Sequence, residues 1–570
     1  MQKKTLYVIV AVIVVVAIIA SAVAVYFATL PRKYQFELWY NSDGHYGDTE
    51  DELATVLKSS IEQCGKVQVT LRFEPWAVYS TKRRNGELPA NLLGWYPDYF
   101  DTDDYLSPFL VTGSNRWAGS FYGNATVDQW IADEQSTTNT TIRADRFTKI
   151  QNRLAEDVPY IPLFSGYSES AYVSGIQNVV LHPISFKWFI IDKPNSREIN
   201  GSTIDHISYI DPMSAYDYFS IELVNQIFDT LLVYGPNAVT LLPGLAEQVP
   251  TFANGGISQD GLNYTYRLKP NIRFSDLSAL NATVVKRSID RAIRINDPNG
   301  PAFLLYDTGK LGRDAANGNN SRAGAIEVAP DDRTITFHLS APVPFFNDLM
   351  GFSVSAPVPW NYNQTGRQPD TVGSVIGSGP YRLTQHVPDQ QFVLERNLQY
   401  HTPALYNSVG IPVIPVEDKV TINIRSSSTA LKNDLTVSPK LADVVYRTIN
   451  VEDLRDLTAQ ATALGIQVDT STSPFIRYLV FNANLVTDVR VRRAIAYSVD
   501  RQAIDTVVFD GNVDPLYSLV PPGFPFSAPY YEPVFQTSYG DAKCTEANAI
   551  WAQLGFTVSF STRDLIARDS

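Results

Sequence analysis

Behind an apolar N-terminal segment, the sequence predicts an α/β protein built on a parallel sheet. Three observations carry that prediction. Phe36, Leu38 and Tyr40 alternate with polar residues as a strand does, Leu53, Leu57, Ser60, Ile61 and Cys64 recur at helical spacing, and Val67, Val69, Leu71 and Phe73 alternate again. A strand, a helix and a strand in that order form a βαβ unit, which demands parallel pairing. The same alternation returns at Ile142, Phe147, Ile150 and Leu154, a helix ending before Pro159, followed by the buried strand Tyr160 to Phe164. Finally, 570 residues with 44% hydrophobic and 12% aromatic content suffice for two to four cored domains.

The first element is the run Thr5 to Leu30, which carries no charge and is long enough to cross a bilayer at roughly 1.5 Å per residue. Lys3 and Lys4 precede it and Pro31-Arg32-Lys33 follow. Its length favours an uncleaved transmembrane helix over a secretory signal, with Ala22-Val23-Ala24 kept as an alternative cleavage site. The expected location is the cell membrane, single-pass, with the bulk of the chain extracytoplasmic. Sequons at Asn124, Asn139, Asn200, Asn263, Asn281, Asn319 and Asn363 fit a glycoprotein in that compartment, although a chain this rich in Asn, Ser and Thr yields several by chance.

After the βαβ unit comes the stretch Gly94-Trp95-Tyr96-Pro97-Asp98-Tyr99-Phe100-Asp101 at the end of the strand-like run Ala90 to Leu93. Four rings, two acids, a glycine and a proline suit a ligand-lining loop, and equally an Asx-type turn with rings filling local core. Val173 to Pro183 reads as extended. Asp192 to Thr203 has no hydrophobic period and reads as a linker. Beyond it, Ile221 to Leu232 and Val284 to Ile295 read as helices. Tyr264 to Leu268 and Thr334 to Leu339 read as paired strands, and Gly377 to Tyr381 as a tight turn into another. Tyr478 to Asn482 is a strand ahead of a helix whose apolar stripe is Val491, Ile495 and Val499. Ala547, Trp551 and Leu554 mark a last helix before a strand Phe556 to Phe560.

Tyr478-Leu-Val-Phe-Asn482 and Val489-Arg-Val-Arg-Arg-Ala-Ile-Ala-Tyr-Ser-Val-Asp500 resemble the extracellular solute-binding proteins of family 5, the peptide, oligopeptide and nickel receptors of ABC importers. Asp260 to Leu268, Gly377-Ser-Gly-Pro-Tyr381 and Gly94 to Asp101 resemble the same family, whereas Asp276-Leu277-Ser278 departs from its usual Asp-Gly turn. The order differs too. In the family the part resembling Ile204 to Phe556 comes first and the part resembling Tyr34 to Asp192 last, so the chain reads as circularly permuted through Asp192 to Thr203. The resemblance implies a two-lobed periplasmic-binding-protein-like fold, type II with an extra domain. After the anchor at 1–33, one lobe joins 34–105 with 476–560, the other joins 106–245 with 366–475, and 246–365 is the extra domain. A fusion or truncated gene would show the same text.

By that resemblance Asp98 meets a ligand ammonium, the backbone of Gly94, Trp95 and Tyr96 pairs with an extended peptide, and Trp76, Arg83, Tyr478 and Asn482 line the cleft. Each has a plainer reading: Trp76 as core, Arg83 as part of a solvated basic turn with Lys82 and Arg84, Asn482 as an internal cap. The implied function is an extracytoplasmic receptor that delivers a peptide or other small polar solute to an ABC permease with a separate ATPase. A non-transporting surface or structural protein and, on acid pairs such as Asp98 and Asp101 or Asp103 and Asp104, a glycoside hydrolase are the alternatives. A net charge of −13 argues against nucleic acid. His45, His182, His206, His338, His386 and His401 show no metal spacing, and no phosphate loop or nucleophile elbow is present, so no catalytic residue, metal or cofactor is expected. Cys64 and Cys544, placed on parallel neighbouring helices, would lie about 15 Å apart at ~1.5 Å rise per residue, too far for a disulfide.

Overall fold

The computed structural model describes residues 33–43, 45–46, 49–235, 240–400, 414–526, 539–540 and 542–556. The expected anchor Thr5 to Leu30, His401 and all but the first residue of the strand expected at Phe556 to Phe560 lie outside them. Among the described residues no helix is long and apolar enough to cross a membrane.

The chain opens as β1 (Tyr34–Asn41), α1 (Glu50–Glu62) and β2 (Val67–Glu74), and β1 and β2 pair in parallel, as the alternation requires. Next come α2 (Trp76–Arg84), β3 (Ala90–Trp95), α3 (Ala125–Gln135) and α4 (Thr140–Asp157). The strand expected at Tyr160 to Phe164 is much longer, β4 (Tyr160–Val173). Its second half, Ser-Gly-Tyr-Ser-Glu-Ser, is polar because it faces a cleft, and polarity hid it from the hydrophobic pattern. β5 (Glu198–Thr203) corrects the linker reading of Asp192 to Thr203. It lies mid-sheet between two parallel neighbours, and its lack of period has a packing cause: the Trp188 ring covers Gly201 so closely that a Cβ there would sit 2.3 Å from it.

α5 (Tyr218–Ile227) leads to a short hairpin, β6 (Leu232–Tyr234) with β7 (Leu241–Pro243). β8 (Asn263–Arg267), α6 (Ala282–Ile295), β9 (Ile326–Val328) and β10 (Thr334–His338) form a unit with its own antiparallel sheet, β8 pairing with β10 as expected. The chain then gives β11 (Tyr381–Val387), β12 (Gln391–Arg396), β13 (Lys419–Ile424), α7 (Ser428–Thr436), β14 (Val444–Tyr446), α8 (Val451–Leu464), β15 (Ile466–Phe481), α9 (Val489–Ser498), β16 (Val513–Pro515) and α10 (Cys544–Gln553).

The main sheet runs β11-β12-β13-β5-β14-β4-β15-β3-β1-β2, with β16 added on β4. It has two halves. β3, β1 and β2 attach to β15 over Ile476–Phe481, whereas β14 and the strands beyond attach to β4 over Ser170–Tyr172. The halves are joined through β4 and β15, whose antiparallel register breaks between Thr472 and Ile476. Packing follows the same break and corrects the expected division after Tyr105: Tyr105, Leu106, Phe147, Ile150, Leu154 and Tyr478 share one hydrophobic cluster, so residues 106–165 stand with β1–β3. Residues 246–365 share a core with β5, β11 and β14.

Three sequon asparagines have a local task. Asn124, Asn139 and Asn281 are N-caps of α3, α4 and α6, accepting from Thr126, Thr141 and Val284 backbone N–H groups.

Cys64 and Cys544 form a disulfide with Cα atoms 5.1 Å apart, which overturns the expected separation. α10 does not lie alongside α1. It packs on α9 and starts where α1 ends, so the two residues meet tip to tip. The bond ties residues 480 apart in sequence, and removing such a link costs about 2–4 kcal/mol. Cys544→Ser should lower the unfolding free energy by that amount in denaturant titration, and wild type in strong reductant should match the variant; an unfolding free energy unmoved by both would show that the bond adds nothing. At the departing turn, Leu277 adopts φ 75°, the left-handed conformation glycine takes freely, at a cost of about 1–2 kcal/mol to an L side chain. Leu277→Gly is therefore expected to stabilise the protein by about 1 kcal/mol in the same denaturation assay, and a loss of stability would contradict the strain.

Candidate functional site

A cleft of about 2510 Å³ lies along the break between the sheet halves. Gly94, Trp95, Tyr96, Asp98, Trp76 and Arg83 all line it. Tyr478 and Asn482 do not. Tyr478 is fully buried with its ring on Phe109 and Tyr160, because its side of β15 faces the core. Asn482 turns inward, donating to the Gly86 carbonyl and accepting from the Asn484 N–H, the internal cap of the plainer reading.

The opening stretch begins inside β3. Gly94 pairs with Arg477 across the sheet, and glycine is needed there because a Cβ would come within 2.5 Å of the Phe475 ring. Phe475 sits in the irregular segment of β15 and stacks on Tyr96 at 4.9 Å, and Tyr96 meets Tyr218 at 4.5 Å. The Arg447 guanidinium lies 3.8 Å from the centre of the Tyr218 ring and pairs with Asp205 at 2.6 Å. This column crosses from one half of the molecule to the other.

The acids of the stretch divide by task. Asp101 is held by Arg143 at 2.6 Å, and Glu134 shares that arginine. Asp103 accepts the Tyr99 hydroxyl at 2.7 Å and the Gln135 amide. Neither lines the cleft. Asp98 and Asp104 do. Asp104 accepts from the Asp98 N–H at 2.9 Å and from the Trp95 indole, while its Oδ1 is buried without a partner. Burial, then the neighbouring Asp98, pushes the Asp104 carboxyl far above the ordinary range. Asp98, 5% exposed, accepts the Tyr216 hydroxyl at 2.7 Å from the other half. Burial pushes its carboxyl up to about 7, against a lowering by that hydrogen bond.

Arg83, in the last turn of α2, is 3% exposed, and its Nε and Nη1 have no hydrogen-bond partner among the described residues. A buried guanidinium without an anion is costly, and this one faces the cleft beside Trp76, 5.2 Å from its ring centre. The solvated basic turn fits Arg84, which is exposed, and not Arg83. On the far wall Glu169, pushed up to about 7 by burial, accepts from the Ile449 N–H. Glu169, Asp205, Tyr216, Tyr218 and Arg447 were missed from the sequence. A signal existed for two: Tyr216-Asp217-Tyr218-Phe219 repeats the ring-and-acid composition of the opening stretch. Among the described residues, no cluster of His, Cys, Asp and Glu has a metal-binding arrangement.

Two sheet halves joined by a pair of strands, with an aromatic cleft holding a buried carboxyl and a guanidinium that has no anionic partner among the described residues, make an α/β fold of the periplasmic-binding-protein kind. The chain belongs to the bacterial extracellular solute-binding proteins, family 5, whose middle-region model matches residues 240–568. It is 25% identical over 377 residues to the periplasmic oligopeptide-binding protein OppA of Salmonella typhimurium, covering 65% of this chain and 64% of that one. It is also 25% identical over 282 residues to OppA of Bacillus subtilis, covering 49% and 48%, so it spans about half to two thirds of the length of these relatives. The glutathione-binding protein GsiB of Escherichia coli is 23% identical over 361 residues, 62% of this chain and 60% of that. Among solved structures, Haemophilus influenzae OppA in complex with RPPGFSPFR matches with TM-score 0.44 at 18% identity, over 64% of this chain and 68% of that one.

The raised Asp98 pKa has a sign. The fold binds this proton more tightly than the unfolded chain, whose carboxyl titrates near 3.8, so the stability it contributes is complete below about pH 4 and is lost as pH rises to about 7. Asp98→Asn should therefore gain stability relative to wild type across that window, levelling off above it, by a few kcal/mol, on the order of 3. Denaturation curves at pH 4, 6 and 8 measure this, and a constant difference would show that Asp98 titrates normally.

Proposed function

We propose that the protein is an extracytoplasmic receptor that captures a peptide-like ligand between its lobes and delivers it to an ABC permease driven by a separate ATPase. The carrying observation is the cleft's pair of unmet charges: Asp98, buried and ionisable, and Arg83, buried and unpaired. A short peptide presents an ammonium and a carboxylate, which match them, and a desolvated charge-assisted bond is strong and directional. Tyr96, Trp95 and Trp76 supply ring surface for side chains of any kind. β1 pairs with β3 at Trp39–Asn91, before the residues Leu93 to Tyr96 that line the cleft, which suits an added peptide strand.

In this reading the apolar run Thr5 to Leu30 anchors the receptor, and residues 34–192, the part whose counterpart the family resemblance puts last, stand first by circular permutation. The sheet supports that order, since β1–β3 and α9–α10 build one lobe from the two ends of the chain. Isothermal titration with a mixed tripeptide pool at pH 7.5 should show binding that Asp98→Asn weakens about a hundredfold, the loss expected when one partner of a buried charge pair goes. Undiminished binding by the variant would remove Asp98 from the site.

A further inference from the structure

We propose that Lys58 and Glu62 keep the protein from joining a second copy of itself along β2. β2 closes one end of the main sheet, and among the described residues no strand pairs with its outer side. An unpaired strand edge is a template for another strand. The parallel ladder with β1 fixes which backbone groups lie on that side. Tyr34 N–H donates to Lys66 O and Ser42 N–H to Glu74 O, so Lys66 and Glu74 face β1 and, by alternation, Val67, Val69, Leu71 and Phe73 turn their N–H and C=O groups outward.

At Val69 both outward groups are taken by side chains. Glu62 Oε1 accepts the Val69 N–H at 2.7 Å, and Lys58 Nζ donates to Val69 O at 2.6 Å and to the same Glu62 oxygen at 2.6 Å. Both residues come from the last turns of α1. As a helix pair theirs is the weaker order, since Glu four residues ahead of Lys supports a helix better than the reverse. The edge that they cover explains the placement better.

Position 69 is where a block matters. Two copies joined edge to edge about a two-fold axis pair antiparallel, outward residue against outward residue. Centred on Phe73, the ladder runs out at once on Pro75, which has no N–H. Centred on Arg72, it sets the two Arg72 side chains directly opposite each other, an unfavourable pair. Centred on Leu71 or Thr70, it runs longer and opposes no like charges, and both registers need the backbone of Val69. The register on Leu71 also lays the exposed Phe73 of each copy beside Val69 of the other. A second copy therefore fits this edge once Val69 is free, and the Lys58–Glu62 pair withholds it.

The test measures self-association of the detergent-solubilised full chain by sedimentation velocity. Lys58→Ala combined with Glu62→Ala should dimerise with a dissociation constant at least about tenfold below that of wild type. Adding Phe73→Pro, which removes an outward N–H, should return association to the wild-type level, and Glu62→Gln alone, which still offers the Val69 N–H an acceptor, should behave as wild type. Glu62→Ala alone frees that N–H and serves if the double variant does not melt cooperatively. A double variant that sediments as wild type does overturns the proposal, as it would if residues 557–570 of the same chain covered the edge. Dimers that Phe73→Pro leaves intact put the contact elsewhere and overturn it too.

Discussion

The molecule depends on how β4 and β15 pass the point where their register breaks. Two strands that stayed in register would fuse the halves into one rigid sheet. Residues Ser473, Pro474 and Phe475 interrupt the ladder, and their carbonyls are not left bare: Ser165 donates to Ser473 O at 2.7 Å and Tyr105 to Pro474 O at 2.6 Å. The break is thus satisfied internally without recovering the ladder. It also turns Phe475 out of the sheet, over Gly94 and Gly166, which have no side chain to obstruct it. The same irregularity that allows a hinge delivers the first ring of the cleft.

From Phe475 the ring column extends through Tyr96 and Tyr218 to Arg447, and its members come from both halves. The column is therefore a contact between the halves across the cleft. Its far end is costly to build. Arg447 and Thr448 both adopt positive φ, 55° and 59°, conformations that non-glycine residues avoid. The Asp205 ion pair and the Tyr218 face offset that strain by fixing the guanidinium, which is the pattern expected where backbone conformation serves a site and not a turn.

Local pattern made the scaffold legible in the sequence. The βαβ unit, the β8–β10 pairing and the helices around Phe147, Ile289 and Ile495 follow from periodicity, because each has one wet and one dry face. What escaped was whatever the interior or the cleft made exceptional. β5 is polar and glycine-containing because Trp188 fills the space its side chains would occupy, and the second half of β4 is polar because it borders the cleft. At the site, Gly94 to Asp101 was visible as a composition anomaly, yet only the fold separates Asp98, which faces the cleft, from Asp101 and Asp103, which hold Arg143 and Tyr99. Arg447 and Glu169 gave no local signal at all. Tyr478 and Asn482 were placed by resemblance; strand alternation sends Tyr478 into the core, and Asn482, just past the end of β15, caps the chain internally.

The order of elements imposes a folding constraint that the disulfide addresses. One half needs β1–β3 and α1 from the start of the chain and α9 and α10 from its end, joined by contacts such as Ser60 to Ser498 O at 2.7 Å. Contacts of such sequence separation form late, because loop closure must precede the burial that rewards it. The other half lies between in sequence and has long-range pairings of its own, β5 with β13 and β14. Until the last segment docks, β3 has no β15 beside it, and its edge is open to aberrant pairing. Linking Cys64 to Cys544 at the junction of α1 and α10 removes the most distant opening of that half once it has formed. In an oxidising compartment such a bond persists, and it secures the half that carries Asp98 and Arg83.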